Sequence, residues 1–141
     1  PLEQTVDYLL NHYSDTIGVP DTISIANIEF PFRPSMFLDQ AINTLFLFEV
    51  DSVISVTEDN SNFFQHKGSG LVPVIDSDRS LRLERDTIYR EAGGITTMRG
   101  THYLKNRKLK TGRIGHVVVD EKSALEIHSE LSFRMLQNLN D

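Results

Sequence analysis

The chain has 141 residues, 39% hydrophobic and 24% charged, with a net charge of −6 and no cysteine. That length and apolar content fit a single globular domain, 1–141, and exclude a disordered chain. The missing thiol excludes a disulfide framework, a thiolate zinc site and a catalytic cysteine together.

Leu2, Val6, Leu9, Leu10 and Tyr13 recur at helical spacing and predict an opening helix, ended by Asp15, Gly18 and Pro20. Residues 22–30, rich in Ile and Thr, read as a strand punctuated by Pro31 and Pro34. A second helix is expected from Pro34, with Phe37, Leu38, Ala41, Ile42, Leu45 and Phe46 on one face. Residues 48–56 open on period-two alternation and predict a strand, followed by a turn at 58–62 and the aromatic pair Phe63-Phe64. Gly68-Ser69-Gly70 makes a break, after which 71–75 reads as a strand with Pro73 at an edge or bulge.

Residues 79–90 are expected as a half-buried strand and Gly93-Gly94 as a turn. Ile95–Leu104 and Arg113–Val119 then predict paired strands, joined by a mobile basic connection at 105–112. Ser123-Ala124-Leu125-Glu126 fits a capping box, so the last helix is expected from there, with Leu125, Leu131, Met135, Leu136 and Leu139 inside. The expected fold is a mostly antiparallel sheet of about five to seven strands, with two N-terminal helices and one C-terminal helix packed on one face.

Charge is unevenly spread. Residues 1–98 carry 15 acidic and 6 basic side chains, and residues 120–141 carry a net −3. Between them lie six bases and no acid: Arg99, Lys105, Arg107, Lys108, Lys110 and Arg113. Such a segment suits phosphates or an acidic partner surface. Its plain reading is a solvated hairpin tip whose lysines protect a sheet edge. Nucleic acid is the weaker partner class, because Tyr103 is the sole aromatic near the basic run able to stack on bases.

No nucleotide-binding glycine motif is present: Gly68-Ser69-Gly70 lacks the third glycine and the helix that a dinucleotide fingerprint needs. The five histidines are scattered, and His102 and His116 are expected to flank the basic connection. On adjacent strands beside six cations, their neutral forms would be favoured, which suits a general base. By strand parity Arg82 and Arg90 share a side, and with Arg99 they would form a trio able to grip a carboxylate or phosphate bidentately. Arg113 joins these as a ligand-binding candidate. A second chemistry is a metal-dependent nuclease, in which Asp120 and Lys122 follow the strand Val117-Val118-Val119, with Asp76 or Asp86 completing a metal site. Asp120 and Glu121 before a helix are also what the helix dipole favours unaided.

Met98-Arg99-Gly100-Thr101-His102-Tyr103-Leu104-Lys105-Asn106 resembles the penultimate strand and turn of effector-binding domains with the chorismate-lyase-like fold. The resemblance covers under a tenth of the chain. It implies an antiparallel sheet that binds small anionic ligands, often through arginines.

The leading expectation is a non-enzymatic domain that senses a small anionic ligand or docks an acidic protein partner through a basic hairpin. The alternatives are a small enzyme and a nucleic-acid-binding module. No cofactor is expected. Residues 1–4 lack the basic start and apolar stretch of a signal peptide, no apolar run is long enough to span a membrane, and a cytoplasmic location is expected. Sheet-based domains of this size often dimerise, so a homodimer stands beside the monomer as an expected state.

Overall fold

A computed structural model describes residues 2–74 and 87–137. The expected strand at 79–90, together with Arg82, Asp76 and Asp86, lies wholly or largely outside them. The chain forms two compact units, one of residues 1–57 and 91–141, the other of residues 58–90.

The first unit opens on α1 (Leu2–Ile17), followed by β1 (Thr22–Ala26), α2 (Met36–Leu47) and β2 (Ser52–Glu58). β3 (Phe64–His66) and β4 (Leu71–Pro73) come next, then β5 (Tyr89–Arg99), α3 (Gly100–Asn106), β6 (Ile114–Val118) and α4 (Glu130–Gln137). The fold is α+β: a four-stranded sheet in the order β1-β5-β2-β6, a separate ribbon of β3 and β4, and helices packed on the larger sheet. In the second unit β3 and β4 pair antiparallel, and Pro73 sits at the ribbon's end opposite Phe64, where its missing N–H costs no central ladder bond.

β5 runs antiparallel to β1, with Ile23 opposite Met98. On its other side Arg99 N donates to Asp51 O and Ile95 N to Ser55 Oγ, so residue numbers fall on β5 as they rise on β2. β2 and β6 are parallel, with Ser52 opposite Ile114. β1, β2 and β6 therefore point the same way and β5 points back.

Helices cover both faces rather than one. α2 lays Phe37, Ala41 and Leu45 on Val53, Ile95 and Val117. On the other face Val6 of α1 and Tyr103 of α3 pack with Met98 and Leu109. Of the predicted α1 stripe, Val6 is buried and Leu10 packs beside it, whereas Leu2, Leu9 and Tyr13 are exposed.

Three local expectations are corrected. The strand expected over Ile95–Leu104 stops at Arg99, because Gly100 lies against the Pro20 carbonyl and gives Asp21 O its N–H, turning the chain into α3. The basic segment is therefore a helix and a tight return, not a hairpin tip: Arg107 takes a left-handed φ of 53° and Leu109 is buried. β6 accordingly pairs with β2, not β5, and seven of the nine residues resembling an effector-binding domain are helical. Gly93-Gly94 does not reverse the chain but kinks β5, with φ of 76° and 62°, and Phe30 closes on the space a Gly94 Cβ would need. The last helix starts at Glu130, not near Ser123. Ser129 Oγ accepts the Ser132 N–H at 3.1 Å and caps α4, while Ser123 is buried in the preceding turn.

Tyr103 is fully buried, and its hydroxyl lies 2.9 Å from both Glu3 O and Asp7 Oδ1, tying α3 to α1. Burial, then the bond and charge of Asp7, push the phenol up to about 12. Arg107 donates to the same carboxylate at 2.7 Å and, with Tyr103, holds Asp7 below its ordinary value. A raised phenol favours the folded state fully below its free value of 10.0, and that contribution is lost as pH rises through about 12. Equilibrium unfolding of Tyr103→Phe should show lower stability at neutral pH and a flatter decline across this alkaline window than the parent.

Candidate functional site

β1 and β6 end on the same side of the sheet, and their exits form the loops 27–35 and 119–129. The carboxyl ends of co-directional strands in an open sheet are where ligands commonly bind. Here the loop after β1 is built by polar bonds. Asn27 N donates to Gly94 O at 2.7 Å, Asn27 Oδ1 accepts from Glu29 N, and Asn27 Nδ2 donates to Glu29 Oε2 at 2.9 Å. Arg33 Nη1 donates to Asn27 O at 3.0 Å and Gly93 O at 2.8 Å, holding the loop to the kink in β5.

The loop after β6 closes on itself and on the first. Asp120 Oδ1 accepts the Ser123 N–H at 2.8 Å and Oδ2 faces Ser123 Oγ at 3.1 Å. The Ser123 amide is the leading cause that holds the Asp120 carboxyl below its ordinary value. Lys122 Nζ stands 5.0 Å from the Phe32 ring centroid, and Ile127 N donates to Glu29 O. Asp120 and Lys122 thus engage the two loops, and among the described residues no group of three or more His, Asp or Glu gathers that could hold a metal.

Beside the β1 exit lies a cavity of about 470 Å³. Its polar lining includes Asn27, Glu29, Glu91 and Lys110, and its apolar lining includes Ile25 and Leu109. Lys110 Nζ and Glu91 Oε1 pair at 2.6 Å, and both side chains are well exposed.

The structure brings three of the sequence-derived candidates to one place away from this cavity. Arg99 N, His102 Nδ1 and Arg113 N all meet Asp51: Arg99 N on its carbonyl, His102 at 3.2 Å from Oδ1, Arg113 N at 2.8 Å from Oδ2. The Arg99 guanidinium points inward, donating to Val50 O and Leu45 O at 3.0 Å each, over the Phe46 ring. His116 sits in β6 opposite Ile54. It lines a second cavity of about 380 Å³ with Arg113, Thr44 and Phe48. Arg90, in the other unit, lies 3.5 Å from Asp59. Asn27, Arg33, Glu91 and Lys110 were missed as a group. The signals available were Arg33 between Pro31 and Pro34, and a glycine pair inside a segment of strand composition.

No family model and no curated protein matches the chain. Among solved structures, the chain is similar to the crystal structure of 4-diphosphocytidyl-2C-methyl-D-erythritol synthase from Anaerococcus prevotii, with a TM-score of 0.60 at 12% identity. The match covers 99% of this chain and 77% of that one. At that identity the likeness is one of fold.

Arg33→Met removes a charged donor from two carbonyls. Urea unfolding should register a loss of about 2 kcal/mol, and the Asn27 and Gly94 amides should exchange faster in the variant than in the parent.

Proposed function

We propose that this chain binds a phosphorylated small molecule or nucleotide at the carboxyl end of its sheet, as the substrate-holding domain of an enzyme that makes nucleotide-linked compounds. One observation carries this reading: the cavity at the β1 exit, with Lys110 held against Glu91 across its lining. An entering phosphate would displace the Glu91 carboxylate and take Lys110 as its counter-charge, while the Asn27 amide offers polar contacts. The likeness in fold to 4-diphosphocytidyl-2C-methyl-D-erythritol synthase supports cytidine nucleotides as first probes.

Recognition of a small anion without chemistry is the second reading, favoured by the basic run 99–113 within an acidic chain. Titration calorimetry with cytidine triphosphate, cytidine monophosphate and inorganic phosphate, with and without Mg²⁺, separates the two. Preference for a cytidine nucleotide supports the first reading, and equal binding of inorganic phosphate the second. For the cavity itself, Lys110→Ala should weaken binding about tenfold, near 1.4 kcal/mol, and Glu91→Gln should tighten it by freeing the ammonium. Anion binding untouched by both substitutions would remove the cavity as the site.

A further inference from the structure

The other side of the sheet ends in a different kind of surface. β6 is the outermost strand next to β2, and among the described residues no strand lies beyond it. Exposed edges are usually blunted by lysine, proline or a bulge. β6 reads Ile114-Gly115-His116-Val117-Val118, with none of the first two, and pairs with β2 in unbroken register over all five residues.

Alongside this edge runs the cavity of about 380 Å³, formed by Thr44 of α2, Phe48 and Val50 after it, and Arg113–His116. α2 packs directly against β6: a Cβ on Gly115 would stand 3.1 Å from Val50 and 3.4 Å from Thr44. A groove between an edge strand and a helix offers backbone hydrogen bonds along one wall and side-chain pockets along the other. That is the geometry by which extended peptides add a strand to a sheet.

The surface also has a chemical bias. Phe48 is 57% exposed and Ile114 47%, so apolar area borders the groove at both walls. Among the described residues, Arg113 is the only Lys, Arg, Asp or Glu lining it. A strand entering here would alternate apolar residues, directed at Phe48 and Val50, with acidic ones beside Arg113.

We propose that the groove between β6 and α2 is a docking site for an extended, acidic segment of a partner protein, which adds to the sheet as a fifth strand. The site is independent of the cavity at the β1 exit.

The test uses a fluorescent hexapeptide of alternating glutamate and valine, its lysine-for-glutamate counterpart, and a form of the first with alternate backbone nitrogens methylated. Anisotropy should show saturable binding of the glutamate peptide below about 1 mM, weakened at least about fivefold by Arg113→Glu and lost on methylation. Amide hydrogen exchange should slow at β6 upon binding. Equal affinity for the lysine peptide, or slowed exchange confined to residues 27–35, would overturn the proposal. So would a concentration-dependent dimer with protected β6 amides in the absence of peptide, which would assign the edge to a second copy of this chain.

Discussion

Four polar atoms of Asp51 hold three chain segments at the point where β2 begins. Its N–H donates to Arg113 O, its carbonyl accepts from Arg99 N, one carboxylate oxygen faces His102 and the other accepts from Arg113 N. The parallel register of β2 with β6 starts from this point, and so does the turn from β5 into α3. The demand extends to the residue before Arg113. Gly112 has a φ of 73°, and any Cβ there would collide with the Asp51 carboxylate. A side chain at the root of one strand thus dictates a glycine more than sixty positions away. The outer half of the sheet depends on that one side chain staying in place.

Much of the fold was legible because its signals are local. α2 carries six apolar residues in helical phase, and the three on its central line are the ones it buries. The failures share a cause: a long-range contact overrode local preference. Residues 95–104 have strand composition throughout, but the Pro20 carbonyl occupies the space beside Gly100 and the strand ends there. The Ser123–Glu126 pattern is a sound helix start, yet Asp120 takes the Ser123 amide and hydroxyl, and the cap passes to Ser129. Two glycines that would reverse a hairpin instead kink a continuous strand so that Phe30 can close on it.

The candidate site was less legible, again for a physical reason. Charge counting located the basic run, but sequence alone does not show which cations meet a resident acid. Lys110 meets Glu91, Arg107 meets Asp7, and the amides at Arg99 and Arg113 meet Asp51. Asn27 and Arg33 act through backbone carbonyls, which carry no mark in a sequence. Arg113 and His116, ligand-binding candidates from the sequence, line the second cavity. Its other wall comes from Thr44 and Phe48, which a one-dimensional reading assigns only to a buried helix and a strand.

The guanidinium of Arg99 has one more consequence. It belongs to the end of β5, yet it takes the carbonyls of Leu45, in the last turn of α2, and Val50, just before β2. Helix ends ordinarily fray because their last carbonyls can exchange protein for water at little cost. Here the negative end of the α2 dipole is held by a fixed positive charge from a strand. The end of α2 therefore has no private route to opening. Losing its final turn exposes the arginine and weakens the root of β2 together, so these segments should share one free energy of opening rather than a graded series. For a small domain this merges a helix and a sheet into a single cooperative block.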